Sequence, residues 1–264
     1  MPQTIELPNP LYADPEAYDI AFGWDARAET LGLLAAAEEL AGRPLPRALE
    51  AGCGAGRVLR ELARAGRQAI GLDIDPRLLR FAKRRLAELG LTAELVAGDC
   101  RDFKLEAPVD FAINPINGFG YLLSAADVER HLRTMAANLS PHGVYVIETS
   151  FAPIEKEFIG QGEPWAFERN QTRVMADWRL LRVDEDSGVV TNEATLFIER
   201  PGQPDRRVVC EQVMRKWNQP AFYRFIADSP LRLARMLWRD LTPLDPETPL
   251  TYADDNVFVL LQHK

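Results

Sequence analysis

The chain has 264 residues, of which 47% are hydrophobic and 27% charged, inside the range of ordinary globular domains and outside the disordered and fibrous classes. Its formal net charge of −8 argues against a protein built chiefly to grip nucleic acid, which presents a basic surface. Three cysteines (Cys53, Cys100, Cys210) and three scattered histidines (His131, His142, His263) form no metal-site spacing, so no metal is expected and a reduced, cytoplasmic setting fits.

Residues 1–10 lack the basic-then-apolar order of a secretion signal. The most apolar early stretch, 31–40, is short and carries Glu38 and Glu39, so no membrane span is expected. A short helix is predicted over 14–22, with Tyr18 and Phe22 four apart on one face, and a longer one over 26–41, closed by Gly42 and Pro44. Short apolar runs and helical patterns then alternate. Strands are predicted at 48–51, 69–72, 93–97, 111–113 and 144–147, with helices at 56–65, 76–89 and 126–139 between them. The basic cluster Arg77, Arg80, Lys83, Arg84 and Arg85 decorates the second of these helices and reads as a solvated face.

After Ser150 the pattern changes. Three longer strands, 171–183, 189–200 and 206–217, are joined by turns at Asp186-Ser187-Gly188 and Pro201-Gly202-Gln203-Pro204, which predicts an antiparallel appendage. A helix over 220–228 follows, then strands at 232–239 and 256–263. The expected fold is α/β: a doubly wound, mostly parallel seven-stranded sheet with a small antiparallel β insertion after strand five. The expected division of this single domain is a helical lid (1–42), a core (43–150), the insertion (151–219), and a last helix with the final core strands (220–264).

In such sheets ligands bind beyond the carboxyl ends of the strands, so the residues there carry the argument. The first strand runs into Glu50-Ala51-Gly52-Cys53-Gly54-Ala55-Gly56-Arg57, a turn whose glycines let a ligand lie against bare backbone. No lysine follows, which removes the phosphate-binding loop, and Arg57 stands where a dinucleotide fingerprint has its third glycine. The second strand ends in Asp73-Ile74-Asp75, where an acid accepts from ribose hydroxyls and would repel phosphate. The third ends in Asp99-Cys100, placed to accept from an exocyclic amine. The fourth runs into Asn114-Pro115-Ile116-Asn117, with Tyr121 shortly after. Asp73 and Asp99 also read as helix caps, and Cys53 and Cys100 as small residues packed at loops.

Together these residues, from about Leu49 to Glu148, resemble the class I S-adenosylmethionine-dependent methyltransferases, which have a Rossmann-like fold. The resemblance implies S-adenosyl-L-methionine as cofactor. Glu50, Ala51, Gly52 and Gly54 would hold its methionine part, with Asn114 near the amine. Asp73 would take the ribose, Ile74 the adenine face, and Asp99 and Cys100 the adenine edge. Small-molecule members carry N-terminal aromatics, matched by Tyr12, Tyr18, Phe22 and Trp24, with Tyr18 expected over the cofactor. They also carry an antiparallel insertion, in which Trp165, Phe167, Trp178 and Trp217 are pocket candidates or core. The implied reaction is in-line methyl transfer to a small molecule, by a monomer or homodimer, with no nucleic-acid or membrane partner. Asn117, Tyr121 and Glu148 lie near the reacting end, and no general base stands out. The alternatives are a nucleic-acid or protein methyltransferase on the same fold, a nicotinamide-dependent oxidoreductase, and a cofactor-binding module without turnover. Asn114 to Asn117 depart from the Asn-Pro-Pro-Tyr/Phe pattern of adenine-amino methyltransferases, and the charge agrees.

Overall fold

The computed structural model describes residues 9–151, 156–250 and 256–264. In chain order they form α1 (Pro15–Ala21), α2 (Arg27–Ala41), β1 (Arg47–Ala51), α3 (Arg57–Arg64), β2 (Gln68–Asp73), α4 (Pro76–Glu88), β3 (Glu94–Ala97), β4 (Val109–Asn114), α5 (Ala125–Asn138) and β5 (Leu139–Thr149). Four strands follow: β6 (Gly162–Arg169), β7 (Thr172–Asp184), β8 (Val189–Glu199) and β9 (Arg206–Arg215). Then come α6 (Gln219–Asp228), β10 (Leu231–Leu237), β11 (Pro243–Leu244) and β12 (Val257–His263).

Local chemistry sets the helix starts. Asp14, Asp75, Ser124 and Asn218 each turn a side-chain oxygen onto a backbone N–H of the helix they precede, and Pro15 and Pro76 open α1 and α4. Gly42 ends α2 in the left-handed conformation.

The central sheet runs β11-β10-β12-β5-β4-β1-β2-β3. Strands β1 to β5 pair in parallel, whereas β12 is antiparallel to both β5 and β10. Side chains alternate across it. Leu49, Ala112, Tyr145, Ile147 and Val259 pack on one face with Val128, Leu132 and Met135 of α5 and Phe222 and Ile226 of α6. Ala48, Phe111, Ile113, Val146 and Phe258 pack on the other with Leu33 and Leu34 of α2, Leu59 and Leu62 of α3 and Leu86 of α4. Each such aliphatic or aromatic side chain fully removed from water stabilises the fold by about 1.5–3 kcal/mol. These two cores are the doubly wound architecture expected from the strand–helix alternation.

The second sheet, β6-β7-β8-β9, is antiparallel throughout. One of its faces (Val174, Ala176, Ala194, Leu196, Ile198) is covered by Leu11, Ala17, Ile20 and Ala21. Thus α1 lies on the antiparallel sheet while also touching the core. Asp19 of α1, with its side chain 2% exposed, pairs with Arg60 of α3 at 3.1 Å and Arg169 of β6 at 2.5 Å. The two guanidinium groups offset the cost of burying this side chain.

Two strand counts need correction. The central sheet has eight strands, because the two-residue β11 adds to its edge. The appendage has four strands, because β6 pairs with β7 from Gly162↔Arg179 to Arg169↔Thr172. Pro164 lies inside β6, and an internal proline argues against a strand unless it lies at a sheet edge, which is where β6 sits. The segment 232–239, expected as a strand, falls on β10 (Leu231–Leu237). Among the described residues no helix is long and apolar enough to cross a membrane.

Candidate active site

Chain order reverses in the central sheet between β1 and β4, which opens a crevice beyond their carboxyl ends. The Asn114 side chain spans it: its Nδ2 donates to the Ala51 carbonyl at 3.0 Å. Its Oδ1 is buried and has no hydrogen-bond partner among the described residues. A side chain added at Gly52 would meet Asn114 Nδ2 at 3.8 Å, whereas one added at Gly118 would meet both Nδ2 and the unpartnered Oδ1 at 2.9 Å. An unpaired buried carbonyl oxygen costs free energy that a donor arriving with a ligand recovers.

The turn itself depends on its glycines. Gly52, Gly54 and Gly56 have φ of 74°, 51° and 81°, in the left-handed region that side chains disfavour. Glu50, only 2% exposed, accepts from Leu59 N at 2.6 Å and so braces the first turn of α3 from beneath. Burial pushes its carboxyl up to about 8, against the pull of that backbone donor and of Arg57.

Asp73 closes the turn from the neighbouring strand. Its Oδ2 accepts from Gly54 N at 2.7 Å and its Oδ1 from Asp75 N at 2.8 Å. Burial raises its pKa while these backbone donors lower it, the net shift being upward. Ile74, next in the chain, is 70% exposed, an unusual exposure for an isoleucine beside a crevice. At the end of β3, Asp99 is engaged by Arg101, whose Nε lies 3.0 Å from both carboxylate oxygens. Arg101 also reaches Asp127 at 2.8 Å. Burial pushes the Asp99 pKa up, but the Arg101 contacts outweigh it and the net shift is downward. The carboxylate placed for an exocyclic amine is therefore already shared with a guanidinium. The Cys100 thiol is pushed up to about 12 by burial and is no thiolate.

Beyond β4 the backbone is strained. Ile116 and Asn117 both have φ of 52°, costly for a β-branched residue. The strain is held by Glu148 at the end of β5, which accepts from Ile116 N at 2.5 Å and from Asn256 Nδ2 at 2.9 Å. Asn117 donates to Asn256 Oδ1 at 3.1 Å.

The N-terminal aromatics cover this region. The Tyr18 ring lies so close to Gly54 that an added Cβ would meet it at 3.3 Å. Tyr18 packs against Tyr12 and Phe22 at centroid distances of 5.1 and 4.8 Å. Trp24 continues the chain of rings to Trp165. A cavity of about 340 Å³ lies between the ends of β4 and β5 and the antiparallel sheet. Asn117, Ser150, Trp178, Asn192 and Lys216 are among its walls. Of the four aromatic candidates in the appendage, Trp178 alone lines it. Trp165 donates to the Ala21 carbonyl, Phe167 packs on Trp24, and Trp217 is buried and donates to the Leu122 carbonyl.

The structure thus brings Tyr18, Glu50, Ala51, Gly52, Gly54, Asp73 and Asn114 around one turn, with Ile74, Asp99 and Cys100 continuing along the sheet. Two residues escaped the sequence. His131 of α5 is fully buried, between the Cys100 carbonyl (2.9 Å from Nδ1) and the Tyr145 hydroxyl (2.7 Å from Nε2). A carbonyl only accepts, so Nδ1 carries the proton and Tyr145 donates to Nε2. Burial lowers the His131 pKa to about 4. Its position among Val128, Leu132 and Met135 on the inward face of a helix was the available signal. The second is Gln212, 1% exposed, which accepts from Tyr121 at 3.1 Å and exchanges hydrogen bonds with Asn9.

Residues 48–143 match the family model described as a methyltransferase domain. One relative is a dTDP-3-amino-3,6-dideoxy-alpha-D-glucopyranose N,N-dimethyltransferase of Streptomyces fradiae, 32% identical over 144 residues, 52% of this chain and 53% of the relative. Another is a dTDP-3-amino-3,4,6-trideoxy-alpha-D-glucopyranose N,N-dimethyltransferase of Streptomyces venezuelae, 29% identical over 40% of this chain and 43% of the relative. The chain spans about half the length of the curated relatives it matches. Among solved structures, Streptomyces venezuelae DesVI superposes with a TM-score of 0.76 at 19% identity, over 94% of this chain and 96% of that one. CalS10, an amino pentose methyltransferase from Micromonospora echinaspora described with SAM bound, gives 0.71 at 20% identity, over 94% and 95%. Residues 48–143 thus match a methyltransferase domain, and the chain shares the fold of DesVI and CalS10.

Proposed function

We propose that the protein transfers a methyl group from S-adenosyl-L-methionine to a small-molecule acceptor, and that the acceptor atom is the nitrogen of an amino sugar. The observation that carries the cofactor reading is the buried Asn114 Oδ1, without a hydrogen-bond partner among the described residues, on a side chain held to Ala51 at the start of the glycine turn, which fits an ammonium group. Asp73 fits a ribose diol, since a carboxylate has about four acceptor sites and two backbone donors leave room for hydroxyls. Ile74 offers an exposed apolar surface to a purine face. Asp99 keeps acceptor capacity beside Arg101, and the Cys100 backbone is fixed by His131.

When bound, S-adenosylmethionine supplies an already activated methyl group, transferred in line from sulfur to the nucleophile. The chain's own task is alignment and exclusion of water. Tyr18, packed over Gly54, shields the turn as part of an N-terminal lid, of which residues 9–42 are described and 1–8 lie outside the described residues. The cavity beyond Asn117 receives the acceptor, with Trp178 as an apolar wall and Asn117, Ser150 and Asn192 as hydrogen-bonding groups. That mixture suits a hydroxylated ring. The amino-sugar class is supported by the printed activities of the relatives. A cytoplasmic location and a small-molecule partner, with neither nucleic acid nor membrane, follow from the same reading.

The test is a methyl-transfer assay with isotopically labelled cofactor against free and nucleotide-linked amino sugars and their hydroxyl counterparts. Turnover confined to amines supports the proposal. Tight S-adenosylhomocysteine binding with turnover only on hydroxyl acceptors defeats the nitrogen assignment and leaves the cofactor assignment standing.

A further inference from the structure

Strand β9 passes from beneath the N-terminal segment to the wall of the cavity. Val208 and Cys210 pack in the cluster with Leu11, Ala17 and Ile20, and Met214 lines the cavity. Gln212 lies between them on the same face, since alternate residues of a strand point the same way. Its register partner on β8 is Asn192, another residue of the cavity wall.

The buried Gln212 amide uses its whole hydrogen-bonding capacity. Its Oε1 accepts from Asn9 Nδ2 at 3.0 Å and from the Tyr121 hydroxyl at 3.1 Å. Its Nε2 donates to Asn9 Oδ1 at 3.1 Å and to Cys210 Sγ at 3.2 Å. Two hydrogens and two lone pairs are all that an amide has. A polar network satisfied this fully fixes one arrangement of the parts it joins, which apolar contacts alone do not.

The partners belong to separate parts of the chain. Asn9 also accepts from Leu11 N at 3.0 Å and so starts the turn Pro10–Tyr12. Tyr12 packs on Tyr18, and Tyr18 covers Gly54. Further along the same segment Asp14 pairs with Arg200 at 2.8 Å and Arg206 at 3.0 Å, which ties α1 to the antiparallel sheet. Tyr121 ends the turn Gly118–Tyr121 after β4, and that turn follows the strained Asn117. Gln212 is thus the point at which the N-terminal segment, the antiparallel sheet and the loop after β4 meet.

We propose that Gln212 is a positioning residue that clasps the N-terminal segment to the loop after β4 over the bound cofactor, so that cofactor release requires this clasp to open. This rests on the S-adenosylmethionine reading. Gln212 acts at a distance from the glycine turn, through Asn9 and Tyr12 on Tyr18. Neutral hydrogen bonds of this kind are worth little net of water, so the clasp opens reversibly without exposing a buried charge.

The experiment follows S-adenosylhomocysteine binding to the immobilised full chain by surface plasmon resonance, for the wild type, Gln212→Met, Asn9→Ala and the double variant. Circular dichroism checks that each is folded. The expected result is a dissociation rate raised about tenfold in Gln212→Met, with the association rate within about twofold of wild type, because a lid that opens more often speeds escape and leaves entry unhindered. Asn9→Ala shifts the dissociation rate in the same direction. The double variant is no faster than Gln212→Met, since both changes break one clasp. An unchanged dissociation rate in folded Gln212→Met overturns the proposal and leaves Gln212 a buried structural amide. Effects that multiply in the double variant overturn it too. Should Gln212→Met fail to fold, Asn9→Ala and Tyr121→Phe carry the test, and unchanged dissociation rates in both overturn it. A wild-type chain that binds no S-adenosylhomocysteine overturns the cofactor reading and the clasp with it.

Discussion

Gly54 N donates to the Asp73 carboxylate at 2.7 Å, so the turn after β1 and the acid ending β2 form one unit. Asp73 therefore has two tasks in the proposed site, holding the turn and taking a ribose. Asp73→Ala is expected to weaken S-adenosylhomocysteine binding by about 1–3 kcal/mol, the cost of losing hydrogen bonds to a buried charged acceptor. It should also lower unfolding free energy, because the Gly54 and Asp75 amides lose their acceptor. Calorimetry and urea unfolding on the same variant measure the two effects.

Glu50 makes a pH-dependent contribution whose sign follows from its raised pKa, about 8 in the folded chain against an ordinary 4.5. The folded state binds the proton more tightly. The stabilisation is complete below about pH 4.5 and is lost as pH rises toward 8. Glu50→Gln removes this alkaline loss and keeps an acceptor for Leu59 N. At pH 8.5 the variant should unfold at a higher temperature than the wild type, with a difference on the order of a few kcal/mol.

His131 gives the opposite dependence. Its folded pKa of about 4 lies below the ordinary 6.5, so its contribution is present above pH 6.5 and lost as pH falls to 4. Tyr145→Phe removes the donor to Nε2 and leaves that buried nitrogen unpaired, at an expected cost of about 1–3 kcal/mol at pH 7. Urea unfolding at pH 7 and pH 4.5 should show wild-type stability falling on acidification, and Tyr145→Phe already weakened at pH 7.

Trp178 lines the cavity and packs on Phe22 at a centroid distance of 6.4 Å. Trp178→Ala should raise the acceptor KM about tenfold or more while leaving S-adenosylhomocysteine affinity unchanged, since an aromatic wall contributes about 1–3 kcal/mol to an apolar ring face. Steady-state kinetics with the acceptor varied, paired with calorimetry, separates the two.

The doubly wound core was legible because each strand face repeats every second residue and each helix has its own punctuation, as at Asp75-Pro76 and Gly42. The glycine turn, Asp73 and Asn114 were legible because residues that close parallel strands gather at one edge of the sheet. Strand β6 was hidden by Pro164, and β11 is two residues long, below any periodic signal. Arg101 on Asp99 could not be read from spacing, because many arginine orientations are compatible with that sequence. Nor could the sorting of Trp165, Trp178 and Trp217 be read, since a tryptophan packed on a helix and one facing a cavity share the same alternation.

The central claim is that the crevice at Gly52, Asp73 and Asn114 holds S-adenosylmethionine. Its most direct test is calorimetric titration of the full chain with S-adenosylhomocysteine, alongside Asn114→Ala. Saturable one-to-one binding is expected, with Kd below about 100 µM, weakened about tenfold or more in the variant. No binding heat from the wild type at high micromolar ligand, or equal affinity in the two proteins, would contradict it.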